Sequence, residues 1–305
     1  MPSEPSICVV GAALIDLISY VPRLPRPGET LHGDDFRMGY GGKGANQAVM
    51  AARLGARVAM VTRVGRDTFG DGMLENFRLN AVDVTHVAVD PEATSGVAPI
   101  AVEPSGENAI VIVTGANARM TTADVEGARD TIAAADVVVC QLEIPVEVSL
   151  AALRIGAASS TVTVLNAAPA ASLPAGALAE VDVLCVNESE AGTLLDRAID
   201  AGEEPEAARA LRALGPRAAV ITLGGRGCVV SSEEGRAVVA AKQADVVDTT
   251  GAGDAFTGTL AHALAGGASL VEAAARANAV AALSVGRRGT QSSFPSAAEV
   301  ASAMR

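Results

Sequence analysis

The 305 residues predict an α/β fold: a mostly parallel sheet in three layers, helices on both faces, with a small second β-sheet standing off it as a lid. Three observations predict it. From Thr121 onward, short apolar runs alternate with stretches of helical periodicity, the mark of βα units whose strands are buried on both faces. Between Val82 and Val113, strand-like runs instead follow one another with few helical signals, which suggests a local sheet projecting from the main one. Near the far end a glycine turn, Asp248-Thr249-Thr250-Gly251-Ala252-Gly253-Asp254, follows an apolar, strand-like run (Ala237 to Val247) and opens a helix from Asp254 to about Leu264.

Taken in order, Ile7 to Ala13 is a continuous apolar run, a strand buried on both faces. Asp16 follows among Leu14, Ile15, Leu17 and Ile18. A carboxylate in that company needs partners, and sugar hydroxyls or a nearby arginine would both serve. Pro22 to Gly28 is an extended connector, and Glu29 to Met38 reads as a strand. Gly41-Gly42-Lys43-Gly44-Ala45-Asn46-Gln47-Ala48 opens a helix to Leu54; its glycines permit close backbone approach, and Lys43 and Asn46 at the helix mouth point to a ligand contact. Arg57 to Val64 is a strand and Thr68 to Leu79 a helix. The runs Val82 to Val89, Gly96 to Val102 and Asn108 to Val113 supply the projecting strands.

A helix from Thr121 to Ala133, a strand Asp136 to Leu142, a helix Val146 to Ala157 and a strand Thr161 to Leu165 begin the regular alternation. Val181 to Val186, a short helix from Glu188, a helix Pro205 to Leu214, a strand Ala218 to Leu223 and a hairpin through Val239 continue it, and helices Leu270 to Val285 and Pro295 to Met304 pack the end. Ligands on such sheets gather beyond the carboxyl ends of the strands, which singles out Asp16, Glu143, Asn166, Asn187, Thr222 and Asp254. Asn187-Glu188-Ser189-Glu190 has the spacing of a helix capping box, with Mg²⁺ held through water as the weaker alternative. The loop from Gly286 to Ser293 either binds a cation through its carbonyls or turns the chain.

The Gly-x-Gly turn carries the most chemistry. Unpaired N–H groups and a positive dipole end at a helix start suit a phosphate. The same field favours an ionised Asp254, which can take a proton from a hydroxyl while the turn holds the phosphoryl group attacked. Asp254 as a plain N-cap is the alternative. No Gly-Lys-Ser/Thr marks a P-loop, and the third glycine of a dinucleotide fingerprint is missing.

Half of the residues are hydrophobic but only seven are aromatic, so the core is built of Ala, Val, Leu and Ile. A net charge of −12 without a basic cluster argues against nucleic acid or an anionic membrane as partner. Cys8, Cys140, Cys185 and Cys228 lie singly in apolar runs, as expected of reduced thiols in a cytoplasmic protein. The three histidines are isolated, so no zinc site or histidine-based triad is expected.

In combination, Gly-Gly-Lys-Gly-Ala-Asn-Gln-Ala (41–48), Gly-Ala-Asn-Ala (115–118), Gln-Leu-Glu (141–143), Asn-Glu-Ser-Glu (187–190), Thr-Leu-Gly-Gly-Arg-Gly (222–227) and Asp-Thr-Thr-Gly-Ala-Gly-Asp (248–254) resemble the PfkB family of carbohydrate kinases, its ribokinase branch above all. The resemblance runs from Val9 to about Pro295. It implies one ribokinase-like domain over residues 1–305, with a lid of about 14–40 and 96–113 that pairs two subunits. It implies phosphoryl transfer from ATP to a sugar hydroxymethyl group, with Asp254 as base and Gly251, Ala252 and Gly253 as anion hole. Asp16, Gly42, Lys43, Asn46 and Glu143 would line the sugar. Asn187, Thr222, Gly224, Gly225, Gly227, Gly253 and Asn278 would border the nucleotide, with Asn187 and Glu190 near Mg²⁺. A K⁺ loop would fall on Asp248, Thr250, Ser284, Arg287, Gly289 and Ser293. The branch carries Asn where this chain has Leu14, which bears on the choice of sugar.

Overall fold

A computed structural model describes residues 4–105 and 107–304; Gly106, within the stretch read as lid, lies outside the described residues. Strand β1 (Ser6–Val10) leads into β2 (Leu14–Tyr20) and β3 (Asp35–Gly41), then α1 (Lys43–Arg53), β4 (Arg57–Gly65), α2 (Thr68–Leu79) and β5 (Val82–Asp90). Next come β6 (Gly96–Val102), β7 (Asn108–Ile110), a 3-10 turn (Gly115–Arg119), α3 (Thr122–Gly127) and α4 (Arg129–Ala133). Then follow β8 (Val137–Cys140), α5 (Val146–Ala158), β9 (Val162–Asn166), β10 (Val183–Asn187), α6 (Glu188–Leu195), α7 (Glu204–Ala213) and β11 (Ala218–Thr222). The hairpin β12 (Cys228–Ser232) and β13 (Gly235–Val239) precedes α8 (Ala252–Ala265), α9 (Leu270–Ser284), a 3-10 turn (Gln291–Ser293) and α10 (Ala297–Ala303).

Nine strands form the main sheet in the order β13-β12-β11-β10-β9-β8-β1-β4-β5, parallel from β11 to β5. Alternate residues of β1 serve two cores. Ile7 and Val9 join α1, α2, α8, α9 and α10 on one face, whereas Cys8 and Val10 join α3 to α7 on the other. The apolar runs of the sequence are therefore continuous rather than alternating because both faces are covered. All four cysteines are buried and unpaired, and burial pushes the thiols of Cys8 and Cys185 up to about 12 and that of Cys228 to about 11.

Strand order reverses between β1 and β8, the place where such sheets open a crevice. Backbone contact tightens it. A side chain at Gly44 would lie 2.7 Å from the carbonyl carbon of Gly11, so α1 starts hard against the end of β1. One at Gly258 would lie 2.7 Å from the carbonyl oxygen of Gln47, so α8 and α1 touch through their backbones. Only glycine permits these approaches.

The second sheet has four strands, β3-β2-β6-β7, with β2 parallel to β6 and antiparallel to β3. Its attachment to the body is fixed by Asn117, fully buried in the Gly-Ala-Asn-Ala motif: Oδ1 accepts from Ala13 N–H, and Nδ2 donates to the Ala13 and Thr114 carbonyls.

Several expectations are corrected. The run Val82 to Val89 belongs to the main sheet as β5 beside β4, not to the projecting sheet, because α2 makes it the parallel return of a βαβ crossover. Asp16 lies inside β2 rather than after the first strand, and the strand expected at Glu29 to Met38 is shifted to Asp35–Gly41. Residues 240–247 are irregular and mostly exposed; β13 stops at Val239, whose carbonyl accepts from Asn278. The helix expected from Thr121 to Ala133 breaks at Ala128.

Candidate active site

Helix α8 starts at Ala252, earlier than expected, with Gly251 as N-cap at φ 77°. Asp254 is thus the third helical residue and does not cap. It is turned inward, 7% exposed, toward α1. Its Oδ2 accepts from Asn46 Nδ2 at 2.8 Å and its Oδ1 from Gln47 Nε2 at 2.9 Å. In the turn, Ala252 N–H donates to the Thr249 carbonyl at 3.2 Å, whereas Gly253 and Asp254 N–H have no backbone acceptor among the described residues. Those donors remain for an anion.

Lys43, Glu190, Asn187, Gly251, Gly253 and Asp254 face one cavity of about 110 Å³. Burial works against the Lys43 ammonium, but the carboxylates of Asp254, Glu143 and Glu190 outweigh it and hold its pKa above the ordinary value. Lys43 N–H also donates to Glu143 Oε2 at 2.7 Å, which ties the start of α1 to the end of β8. Burial pushes Glu143 up to about 7, opposed by Lys43 and assisted by Asp254 and Asp16.

Asp16 is 8% exposed and has no cationic partner among the described residues, so the arginine alternative is excluded. Its side chain accepts from the Thr290 hydroxyl at 3.3 Å, and burial raises its pKa to about 6. Gly41 leaves room for it; a Cβ there would lie 2.4 Å from Oδ1. Gly42, at φ 86°, turns the chain from β3 into α1 between these groups. Leu14 is buried, its Cδ2 2.4 Å from where a side chain at Gly96 would begin.

Across Gly253 a larger cleft of about 950 Å³ opens, lined by Asn187, Thr222, Gly224, Gly225, Gly227 and Asn278 among others. Gly227 is pressed against the Val239 carbonyl, with no room for a Cβ, and this shapes the cleft floor. Asn187 and Glu190 do form the capping box: Asn187 Oδ1 accepts from Glu190 N–H, and Glu190 Oε2 accepts from Asn187 N–H, each at 2.8 Å. The other oxygen of Glu190 has no hydrogen-bond partner among the described residues.

The 247–250 and 285–293 segments are joined. Val247 and Asp248 N–H donate to the Val285 carbonyl, and Asp248 accepts from Thr250 and Gly289 N–H. Ser284 and Ser293 are buried, their hydroxyls donating to the Ala281 and Thr290 carbonyls, and the Arg287 side chain turns away to pair with Glu299. Sequence reasoning passed over Gln47, Gln141, Thr290 and Gln291. The first two lie inside motifs already singled out, but nothing in the sequence shows that their side chains are buried.

Together these groups can take a proton from an alcohol while holding the phosphoryl group it attacks, the work of a kinase acting on a small hydroxylated molecule. The family is shown independently: the pfkB family carbohydrate kinase model matches residues 4–297, and the chain belongs to that family. It is 43% identical to a mouse ribokinase over 95% of this chain and 92% of that one. It is 37% identical to a deoxyribokinase of Salmonella typhi over 95% of each. The solved structure of Arabidopsis thaliana ribokinase complexed with ribose and ATP superposes with a TM-score of 0.92 at 29% identity, covering 99% of both chains.

Proposed function

We propose that this kinase transfers the terminal phosphoryl group of ATP to the 5-hydroxymethyl group of D-ribose, giving D-ribose 5-phosphate and ADP. The observation that carries the reading is Asp254, fixed by Asn46 and Gln47 at the unpaired mouth of α8. Asp254 accepts the hydroxyl proton, and the Gly251-Ala252-Gly253 turn, through the unpaired N–H of Gly253 rather than that of Ala252, faces the charge that develops on the phosphoryl group. Lys43 adds an ammonium beside it. Asp16, Gly42, Lys43, Asn46 and Glu143 hold the sugar. With Thr290 as its one side-chain partner among the described residues, Asp16 has acceptor capacity left for ring hydroxyls. The adenine nucleotide lies along Asn187, Thr222, Gly224, Gly225, Gly227, Gly253 and Asn278.

The unpartnered Glu190 oxygen at the cavity fits a hydrated Mg²⁺. Asn187 and Glu190 would hold that ion through water, and when bound it offsets phosphate charge. The joined loops bearing Asp248, Thr250, Ser284, Arg287, Gly289 and Ser293 fit K⁺, with the carbonyl rather than the side chain of Arg287 toward it. The ion would stiffen the turn that leads into Gly251. We read the protein as a homodimer joined through the four-stranded lid and working in the cytoplasm.

Leu14 favours a second reading, 2-deoxyribose. An aliphatic wall discriminates only on the order of 10²-fold against an added hydroxyl, whereas an amide strongly rejects its absence. ADP release over ribose, 2-deoxyribose, hexoses and nucleosides, in K⁺ and in Na⁺, tests both. We expect ribose to give the highest kcat/KM, K⁺ to stimulate, and Asp254→Asn to lower turnover by about 10²–10⁴-fold with sugar affinity little changed. Near-normal turnover of Asp254→Asn would remove it as base, and a preference for 2-deoxyribose would install the second reading.

A further inference from the structure

The two oxygens of Asp254 are each the terminus of a chain of side-chain amides, and both chains run one way. Along the first, Gln141 Nε2 donates to Gln47 Oε1 at 2.6 Å, and Gln47 Nε2 donates to Asp254 Oδ1 at 2.9 Å. The remaining hydrogen of Gln47 Nε2 goes to Asn166 Oδ1 at 3.0 Å; Asn166 is itself turned by donating to the Cys185 carbonyl at 3.1 Å. Along the second, Arg53 Nε donates to Asn80 Oδ1 at 3.0 Å, and Asn80 Nδ2 reaches Asn76 Oδ1 at 3.3 Å and its carbonyl at 2.8 Å. Asn76 Nδ2 donates to Gln291 Oε1 at 2.8 Å, Gln291 Nε2 to Asn46 Oδ1 at 3.0 Å, and Asn46 Nδ2 to Asp254 Oδ2 at 2.8 Å.

The direction is imposed from the ends. An arginine can only donate, an ionised carboxylate and a backbone carbonyl can only accept, and each amide between them can satisfy both neighbours in one orientation alone. Hydrogen bonds in such a series polarise one another. The first chain leaves Gln141 Oε1 buried without a hydrogen-bond partner among the described residues, while its Nε2 serves Gln47. Gln47, Gln141 and Asn166 are buried, as are Asn46 and Gln291.

We propose that Gln47 and Gln291, backed by Gln141 and by Arg53 through Asn80 and Asn76, are positioning residues that lock Asp254 in the one rotamer able to accept the substrate proton. Asn46 is the direct contact of the second chain and adjoins the sugar; the others act on Asp254 through these amides. The arrangement anchors the base to β8, β9, α1, α2 and the Gln291–Ser293 turn at once, which a single hydrogen-bond partner would not do.

This inference rests on Asp254 being the base, so Asp254→Asn is measured in the same series as Gln47→Met, Gln291→Met and Gln141→Met. For each folded variant kcat, KM for sugar and ATP, and the solvent deuterium isotope effect on kcat are determined. Gln47→Met should lower kcat about 10-fold, the scale of losing one hydrogen bond to a charged group, and Gln291→Met, whose bond is to the neutral Asn46 amide, about 3-fold. Both KM values should stay within about 2-fold and the isotope effect should rise, because proton transfer has become harder while binding has not. Gln141→Met should act in the same direction by about 3-fold, and it decides the matter alone if the other two fail to fold. Unchanged kcat, or a loss with an unmoved isotope effect or with KM rising in step, overturns the proposal. Near-normal turnover of Asp254→Asn would instead overturn the assignment of the base, whereas an inactive Asp254→Asn beside fully active methionine variants would remove the relay alone.

Discussion

At the scale of the residue, the site holds charge that the fold does not welcome. Burial raises the Asp16 carboxyl from 3.8 to about 6. The native state therefore holds a proton between about pH 4 and 6 that the unfolded chain releases, and stability falls as pH rises through that window. Above it the cost is full, at most roughly 2–3 kcal/mol by the pKa difference. Asp16→Asn should accordingly raise the thermal midpoint of the sugar-free protein at pH 8, lose that advantage near pH 4, and weaken sugar binding. An equal advantage at both pH values would assign it to something other than the charge. Asp16 stood out in the sequence as a carboxylate among aliphatics, and so did Lys43, Asn187 and Asp254 at strand ends or glycine turns. Gln47 and Gln291 did not, because an amide is an ordinary residue on a helix or in a loop until its neighbours in space are known.

At the scale of the element, the placement of Asp254 depends on how closely α1 and α8 lie. Gly258 sets that approach, since a Cβ there would stand 2.7 Å from the Gln47 carbonyl oxygen and 3.0 Å from Met50 Cβ. Gly258→Ala should push the helices apart, cost about 1–3 kcal/mol of stability as overpacking does, and lower kcat by stretching the Asn46 and Gln47 contacts to Asp254. Calorimetry and steady-state kinetics read both, and a variant with parental stability and kcat would show that the helices yield elsewhere. Elements with a strong period were legible: α1, α2, α5, α8 and α9 all stand where the sequence has them to within a few residues. The errors have physical causes. Val82 to Val89 reads as a strand without saying to which sheet it pairs, and the run from Ala237 to Val247, interrupted by Lys242, Gln243 and Asp245, pairs only as far as Val239 among the described residues.

At the scale of the whole molecule, the parallel sheet and the separate small sheet were both legible, because βα alternation and its local absence are long-range patterns. How the small sheet meets another surface was not. Phe36 (59% exposed), Met38 (54%), Ile110 (51%) and Val111 (62%) leave it with apolar side chains in water, and β3 and β7 are its free edges. Such a surface invites a partner. Light scattering at micromolar concentration should give twice the chain mass of 30.5 kDa, and Phe36→Asp with Met38→Asp should halve it; a parent already at one chain mass would contradict lid pairing. The four cysteines carry a different consequence. Each is enclosed in one of the two cores, with its thiol held far from the thiolate that reacts. The intact molecule is therefore inert to a maleimide and becomes labelled only when a core opens. The chain has no tryptophan to report its own unfolding by fluorescence, but it carries four chemical clocks for that event, two on each side of the sheet.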